Sequence, residues 1–330
     1  MKLANGRTLY YGKGDVLTYR TYAAPLDVAP IPESAYEGDK NVIFAHNVVF
    51  SVSGESLLTS FSEGDNGLVV ATDSMKNFIL RETAGYDGST TEGLLAYIAQ
   101  RFLDRYSHIM GIVIEGDRLP FNALPVADGS GGFGPSPLVY RKSHNDHAGS
   151  RLEFVRDAAS GNGKCVSMQS GISDLQLIKV SGSSFYGFVR DEYTTLPDSY
   201  DRPLFIFLNI RWRYRDDLDA LDAARGAYVA AEQVRDIAHH VFHERNSPSI
   251  QYLIYQIGLR LLERFPQLSE VSFESNNRTW ETVVEPAAVG EAGVYTEPRP
   301  PYGFQGFSMT QDDLEAERRR ENVQAAGYGA

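Results

Sequence analysis

Glu92-Gly-Leu-Leu-Ala-Tyr-Ile98 runs on through Phe102-Leu-Asp-Arg-Tyr106 to Ile112-Val-Ile-Glu115; Gln251-Tyr-Leu-Ile-Tyr-Gln-Ile257 runs on through Leu261-Leu-Glu-Arg-Phe265 to Val271-Ser-Phe-Glu274. The offset is 159 residues throughout, the same from Glu92 to Gln251 as from Glu115 to Glu274. Leu94 meets Leu253, Ile98 meets Ile257 and Arg105 meets Arg264. In each segment the apolar residues recur at helical spacing and then switch to a strand-like run. A match that continues through the turn into the next element points to two copies of one domain.

Each copy also has strands before its helices. In the first, Thr18-Tyr-Arg-Thr-Tyr22 and the run Val42 to Val52 read as strands. In the second, Leu175-Gln-Leu-Ile-Lys-Val180 is one, and Leu204 to Tyr214 is another. There Leu204, Ile206, Leu208, Ile210, Trp212 and Tyr214 share one face, the period of two of a half-buried antiparallel strand. Asp216 to Glu244 reads as a second amphipathic helix carrying Leu218, Leu221, Val234, Ile237 and Val241 on one side. The order strand, strand, helix, helix, strand, given twice, predicts an α+β protein of two tandem domains, each an antiparallel sheet with two helices on one face. Ala158-Ala-Ser-Gly-Asn-Gly-Lys164 is the expected junction. The expected divisions are 1–160, 161–285 and a carboxyl-terminal arm 286–330, in which Pro298, Pro300 and Pro301 promise extended chain. Thr310-Gln-Asp-Asp313 then resembles a helix start before a charged run. The arm is expected to lie on the surface or to contact another subunit.

Length and composition narrow the function. A chain of 330 residues is long enough for about two domains. A formal charge of −12 argues against a general nucleic-acid binder and against an anionic membrane surface. The lone Cys165 excludes an intramolecular disulfide and cysteine-based metal sites. The first residues lack the apolar core of a signal peptide, no stretch has the length of a membrane span, and the last residues are not a peroxisomal address. A soluble cytoplasmic protein is expected. There is no HExxH, P-loop, nucleophile elbow or flavin fingerprint. Gly129 to Pro137 formally contains GxGxxG, but Pro135 and Pro137 bar the helix that a dinucleotide fingerprint must open, so it reads as a loop. His239 and His243 stand four apart on a helix and read as a solvated pair without a third metal ligand; His144 and His147 read as loop residues at the surface.

Chemistry concentrates in five short stretches. In Val70-Ala-Thr-Asp-Ser-Met-Lys-Asn77, Thr72 and Asp73 fall where the strand-like run Leu68 to Ala71 turns into a helical pattern. A helix start suits a small anion; equally, either side chain serves as a plain helix cap. Tyr11-Gly-Lys-Gly-Asp-Val16 presents Lys13 near the start of a strand. The others are Phe185 to Arg202, Ser247-Pro-Ser-Ile-Gln251 and Ser275-Asn-Asn-Arg-Thr-Trp280. Taken together, in this order and at these separations, they resemble the urate oxidase (uricase) family, bacterial type. The resemblance spans residues 11 to 281. It implies the tunnelling fold (T-fold): two tandem domains per chain, two chains closing a barrel, and two barrels stacked as a homotetramer. It implies Lys13, Thr72 and Asn276 as catalytic residues. It implies Thr72, Asp73, Phe185, Arg202, Ile250, Gln251 and Asn276 as the substrate-binding set. Each active site would lie between subunits, with Lys13, Thr72 and Asp73 from one chain and the rest from its neighbour. No cofactor and no metal are implied.

The set makes physical sense for urate, a flat anion rimmed by carbonyl and N–H groups. Arg202 offers a planar fork of donors. Gln251 can donate to one rim carbonyl and accept from the adjacent N–H. Phe185 offers a face for stacking. Ser247 is expected to cap a helix with Pro248 at its first position, leaving the N–H groups of Ile250 and Gln251 free. In the repeat, Glu92 stands where Gln251 does, and a structural role is expected for it because the urate contacts fall in the second copy.

The implied reaction converts urate, dioxygen and water to 5-hydroxyisourate and hydrogen peroxide, with the substrate as electron donor. Lys13 in its neutral form would act as general base through the Thr72 hydroxyl, and Asn276 with Thr72 would hold dioxygen over the ring. The family pattern places a histidine two residues after Asn276, where this chain has Arg278, which cannot accept a relay proton. Two rival readings follow: another tunnelling-fold enzyme acting on a purine or pterin, or a purine-binding homologue impaired in catalysis.

Overall fold

The computed structural model describes residues 3, 6–127, 129–142, 146–157, 159–278, 282–284, 287, 291–296 and 300–327. Its side-chain packing is described to residue 324. Ala158, His144, Glu285, Pro298, Trp280 and the chain ends, to which some of the expectations above refer, lie outside this range.

The chain forms two compact units. The first holds residues up to Ala29, Glu37–Gly171 and Asp216–Tyr228; the second holds Pro30–Tyr36, Ile172–Arg215 and residues from Val229 onward. The passage at Gly171 falls inside a long strand, whereas the sequence puts the junction at 158–164. Gly and Asn there instead make a tight turn, with Gly161 at φ 73° donating its N–H to the Asp157 carbonyl at 2.8 Å.

In the first unit, β1 (Tyr11–Thr21), β2 (Ile43–Ser53), α1 (Thr72–Gly85), α2 (Thr91–Arg105), β3 (Gly111–Arg118) and β6 (His147–Arg156) form the frame. The strands run in the order β1-β2-β3-β6, each pair antiparallel. A side hairpin, β4 (Phe121–Ala127) and β5 (Phe133–Lys142), lies between β3 and β6 in sequence. Phe133 to Pro137 therefore lie in a strand rather than a loop. His147 opens β6 and is half-buried. Leu68 to Ala71 is not a strand; His108 Nε2 meets the Leu68 carbonyl at 2.8 Å and Tyr11 holds Val70, so side chains rather than a ladder fix this run.

The second unit repeats the plan. β7 (Gly163–Lys179) runs through the division, and β8 (Leu204–Tyr214), α3 (Ala231–Glu244), α4 (Ile250–Arg264), β9 (Leu268–Arg278), β10 (Tyr302–Thr310) and α5 (Gln311–Gly327) follow. β8 pairs antiparallel with β9, and β9 with β10. Strict alternation along β8 buries Leu204, Ile206, Leu208, Ile210, Trp212 and Tyr214. Residues 302–310 of the expected arm are thus a strand of this sheet.

The repeat is visible in detail. Leu94 and Leu253, Ile98 and Ile257, and Phe102 and Leu261 are all fully buried, each side chain contributing about 1.5–3 kcal/mol. The helix starts match as well: Thr90 accepts from the Gly93 N–H, and Ser249 from the Tyr252 N–H. The expected helix over 216–244 is broken. A single turn, Leu218–Leu221, and a short tight turn, Ala223–Arg225, stop at Gly226, whose φ of 72° no helix continues; α3 begins at Ala231.

Candidate active site

The Lys13 stretch is set by its neighbours. The Tyr11 hydroxyl donates to the Val70 carbonyl at 3.2 Å and accepts from the Val70 N–H at 2.9 Å. This ties β1 to the chain that enters α1. At Gly12 any Cβ would run into the Phe50 carbonyl, so only glycine lets the strands approach there. Lys13 pairs with Phe50 and Val16 with Val48, so Gly14 and Asp15 form a bulge, with Asp15 at φ 53°. Lys13 is half-buried just before it.

Thr72 is the first residue of α1 and Asp73 the second; the cap position is Ala71, with no side-chain cap bond. Neither residue acts as the plain cap. The Asp73 carboxylate turns to the helix itself, meeting Lys76 Nζ at 2.5 Å and Asn77 Nδ2 at 3.0 Å. The hydrogen bond and charge of Lys76 hold this carboxyl below its usual range, and the Lys13 charge adds to the effect. First-turn N–H groups have no acceptor within a helix, so this helix start keeps free donors.

In the second unit a cavity of about 160 Å³ is lined by Phe185, Arg202, Ile250, Gln251, Asn277 and Gln305, among others. A second, also about 160 Å³, shares Arg202, Leu204 and Asn277 and adds Arg278. Each is below the ~300 Å³ at which pockets for drug-sized ligands begin, so a small molecule suits the space. The loop 181–202 is pinned by main-chain bonds: Ser184 N–H to the Ser247 carbonyl at 2.9 Å, Phe185 N–H to Ser199 at 2.7 Å, and Arg202 N–H to Ser183 at 2.8 Å. Asp201 accepts from the Gly182 N–H at 2.6 Å, which holds its carboxyl low.

Arg202 carries the strongest signal. Its Nε is buried and finds no hydrogen-bond partner among the described residues. Burial pushes the guanidinium pKa down from its ordinary value. The group lies 5.5 Å from the Phe185 ring centroid. A half-buried cation beside an aromatic face, with no acidic partner among the described residues, has the chemistry to receive an anion. The start of α4 reinforces it. Ser249, not Ser247, is the cap, its Oγ accepting from the Tyr252 N–H at 3.1 Å. Pro248 therefore precedes the helix, and Ile250 and Gln251 are its first two residues, with N–H groups that have no acceptor within it.

Asn276 stands elsewhere. It pairs with Phe207 across β8 and β9, and its Oδ1 is buried without a partner among the described residues. Asn277, one residue on, is the asparagine on the cavity wall. Successive strand residues face opposite sides, so Asn277 shares the side of buried Val271, Phe273 and Ser275. Arg278 lies over the Phe207 ring, with Cζ 4.4 Å from the centroid. Gln305 was not among the expected residues; it lies in the arm, where the sequence offered no motif. In the first unit Glu92 is buried, and its carboxylate accepts from the hydroxyls of Ser150 at 2.7 Å, Ser170 at 2.5 Å and Tyr228 at 3.2 Å. Protein hydroxyls thus occupy the group that matches Gln251. Among the described residues no group of three His, Cys, Asp or Glu side chains is placed to hold a metal, and no helix is long and apolar enough to cross a membrane.

Comparison with known proteins agrees with this geometry. The uricase family model matches residues 168–305. A uricase of Haloferax volcanii is 51% identical over 307 residues, covering 92% of this chain and 99% of the relative. A uric acid degradation bifunctional protein of Bacillus sp. TB-90 is 54% identical over 93% of this chain, which spans 61% of that relative's length. The crystal structure of a uricase from Bacillus fastidious superposes with a TM-score of 0.91 at 53% identity, covering 94% of this chain and 96% of that one. The α+β architecture is accordingly the tunnelling fold of these urate oxidases, and the chain belongs to the uricase family.

Proposed function

We propose that this protein oxidises urate with dioxygen and water to 5-hydroxyisourate and hydrogen peroxide, with no cofactor because urate is itself the electron donor. The observation that carries the reading is the half-buried Arg202 guanidinium, its Nε without a partner among the described residues, on a small cavity whose wall also holds Phe185, Ile250 and Gln251. Arg202 binds the anionic edge of urate as a planar fork, Gln251 pairs with the adjacent rim groups, Phe185 stacks on the ring, and Ile250 donates its N–H. Lys13, neutral when it acts, takes a proton from urate through the Thr72 hydroxyl. Asp73 contributes through its N–H, since its carboxylate is engaged with Lys76 and Asn77. The urate dianion gives an electron to dioxygen, recombination forms a hydroperoxide at carbon 5, and water replaces peroxide from the same side.

The oxygen-holding asparagine is better assigned to Asn277 than to Asn276, because Asn277 lines the cavity. The residue two further on is then Thr279 rather than Arg278. Arg278 then no longer stands at the histidine's place; Thr279 does, and its hydroxyl, unlike a guanidinium, can both accept and donate a hydrogen bond in a relay. We further place the enzyme in the cytoplasm as a homotetramer, with Lys13, Thr72 and Asp73 of one subunit completing the site of its neighbour.

Purified, metal-stripped protein incubated with urate in air should lose the ultraviolet absorbance of urate while forming an equal amount of peroxide. Urate that binds but is not consumed would refute the activity. A sedimenting mass of one chain in a fully active sample would refute the shared site.

A further inference from the structure

We propose that Gly303 is a positioning residue: its missing side chain keeps open the space that the Asn277 amide occupies, and so fixes the amide that faces the reacting oxygen. The proposal rests on the urate-oxidising reading above. Gly303 is the cross-strand partner of Asn277 in the β9–β10 pair. A Cβ built on Gly303 would lie 2.8 Å from Asn277 Oδ1 and 3.6 Å from Gln305 Nε2. The first distance is shorter than real Cβ atoms tolerate, so a side chain at 303 must displace the amide. Backbone conformation does not call for glycine here, since Gly303 is not among the positive-φ glycines. What the position uses is the room.

The surrounding groups are also fixed. The Ser275 hydroxyl is buried and donates to Gln305 Oε1 at 3.0 Å. This leaves the Gln305 Nε2 end toward Gly303, beside the Asn277 Oδ1. With Oδ1 turned to Gly303, the Asn277 Nδ2 donor is the end left for a ligand. A fixed donor is what an oxygen molecule needs as it accepts an electron and becomes anionic. Gly306, three residues along the same strand, supplies a contrast: a Cβ there meets only the Phe273 carbonyl, at 3.9 Å.

The test compares Gly303→Ala, Gly306→Ala, Asn277→Ala and the double variant Gly303→Ala/Asn277→Ala in full-length protein. Readouts are melting temperature, urate affinity measured without oxygen, and kcat and KM for oxygen. Gly303→Ala should keep urate affinity within about twofold and lower kcat by about tenfold or more, while Gly306→Ala behaves as the parent. Asn277→Ala should lower kcat by roughly a hundredfold. In that background Gly303→Ala should add less than about twofold, because the group it displaces is gone. Equal losses from Gly303→Ala in both backgrounds would overturn the proposal. Should Gly303→Ala not fold, the double variant should fold, and its failure to do so would also overturn it. Parental kcat in Asn277→Ala would instead refute the assignment of Asn277, separately from the role of Gly303.

Discussion

His46 should make the folded protein sensitive to acid in a way that a single substitution removes. It lies on β2, fully buried, with the Phe44 ring edge-on at 4.5 Å and Nε2 3.0 Å from the Thr91 hydroxyl. Burial, with the nearby Arg118 charge, pushes its pKa from 6.5 down to about 3. The imidazole is therefore neutral in the fold well into the acid range. The unfolded chain takes up a proton below about pH 6.5, and the folded chain does not until about pH 3. The unfolded state thus binds more protons through that window, and stability falls as pH falls. The slope is about 1.4 kcal/mol per pH unit, which gives about 2 kcal/mol lost by pH 5. That is a sizeable fraction of the ~5–15 kcal/mol of a typical domain. Carboxylates add their own acid sensitivity, so the measurement is a difference. Urea unfolding of the parent and of His46→Gln would be followed between pH 7 and pH 4.5, at one protein concentration so that any assembly contribution is common. Glutamine keeps a partner for Thr91 but does not titrate. The gap between the two stability curves should narrow steadily as pH falls. Parallel curves would show that His46 takes up its proton as readily in the fold as in the unfolded chain, and would refute the argument.

Three other outcomes follow from the site. Arg202→Ala should weaken urate binding by about 3 kcal/mol, roughly a hundredfold, and Arg202→Lys should recover little of it because a point charge lacks the planar fork; titration without oxygen measures both. Lys13→Met should leave that affinity within about threefold and slow turnover by a factor on the order of 100 to 10,000, read in single-turnover assays. Ser249→Ala should cost about 1 kcal/mol of stability in urea unfolding as the cap of α4 is lost, whereas Ser247→Ala, which removes no cap, should cost less.

The tandem plan was legible because it rests on periodicity. Leu94, Ile98 and Phe102 recur as Leu253, Ile257 and Leu261, and burial at matched depth is what such a recurrence means. Where expectation and structure parted, a local choice had two chemically equal answers. Ser247 and Ser249 both cap well, and Pro248 suited the first. The repeat could have decided between them: Thr90, the cap of α2, stands 159 residues before Ser249 and not before Ser247. The break at Gly226 was hidden differently. Leu218, Leu221 and Val234 fit one helical face, and the glycine between them signals an end only where the chain adopts a positive φ. The strand at 302–310 was missed because its aromatic residues are largely exposed, so no buried alternation announces it.

The asparagine pair is the sharpest case, because one residue of register changes the chemistry. In a strand each step reverses the side on which a side chain stands. Val271 and Phe273 are buried with α4, so the period of two carries Ser275 and Asn277 to that side, the side on which Gln251 and Arg202 meet the cavity. Asn276 goes with Glu274 to the other; Arg278, at the strand's end, lies over the Phe207 ring and also lines the neighbouring cavity that holds Arg202 and Asn277. Motif matching treats Asn-Asn as interchangeable, and the pattern of apolar residues before it does not. The same step takes Arg278 off the histidine's place in the proposed relay and puts Thr279, whose hydroxyl can donate and accept, there instead. The residue that keeps Asn277 in place is then to be sought across the ladder, at Gly303, rather than along the chain.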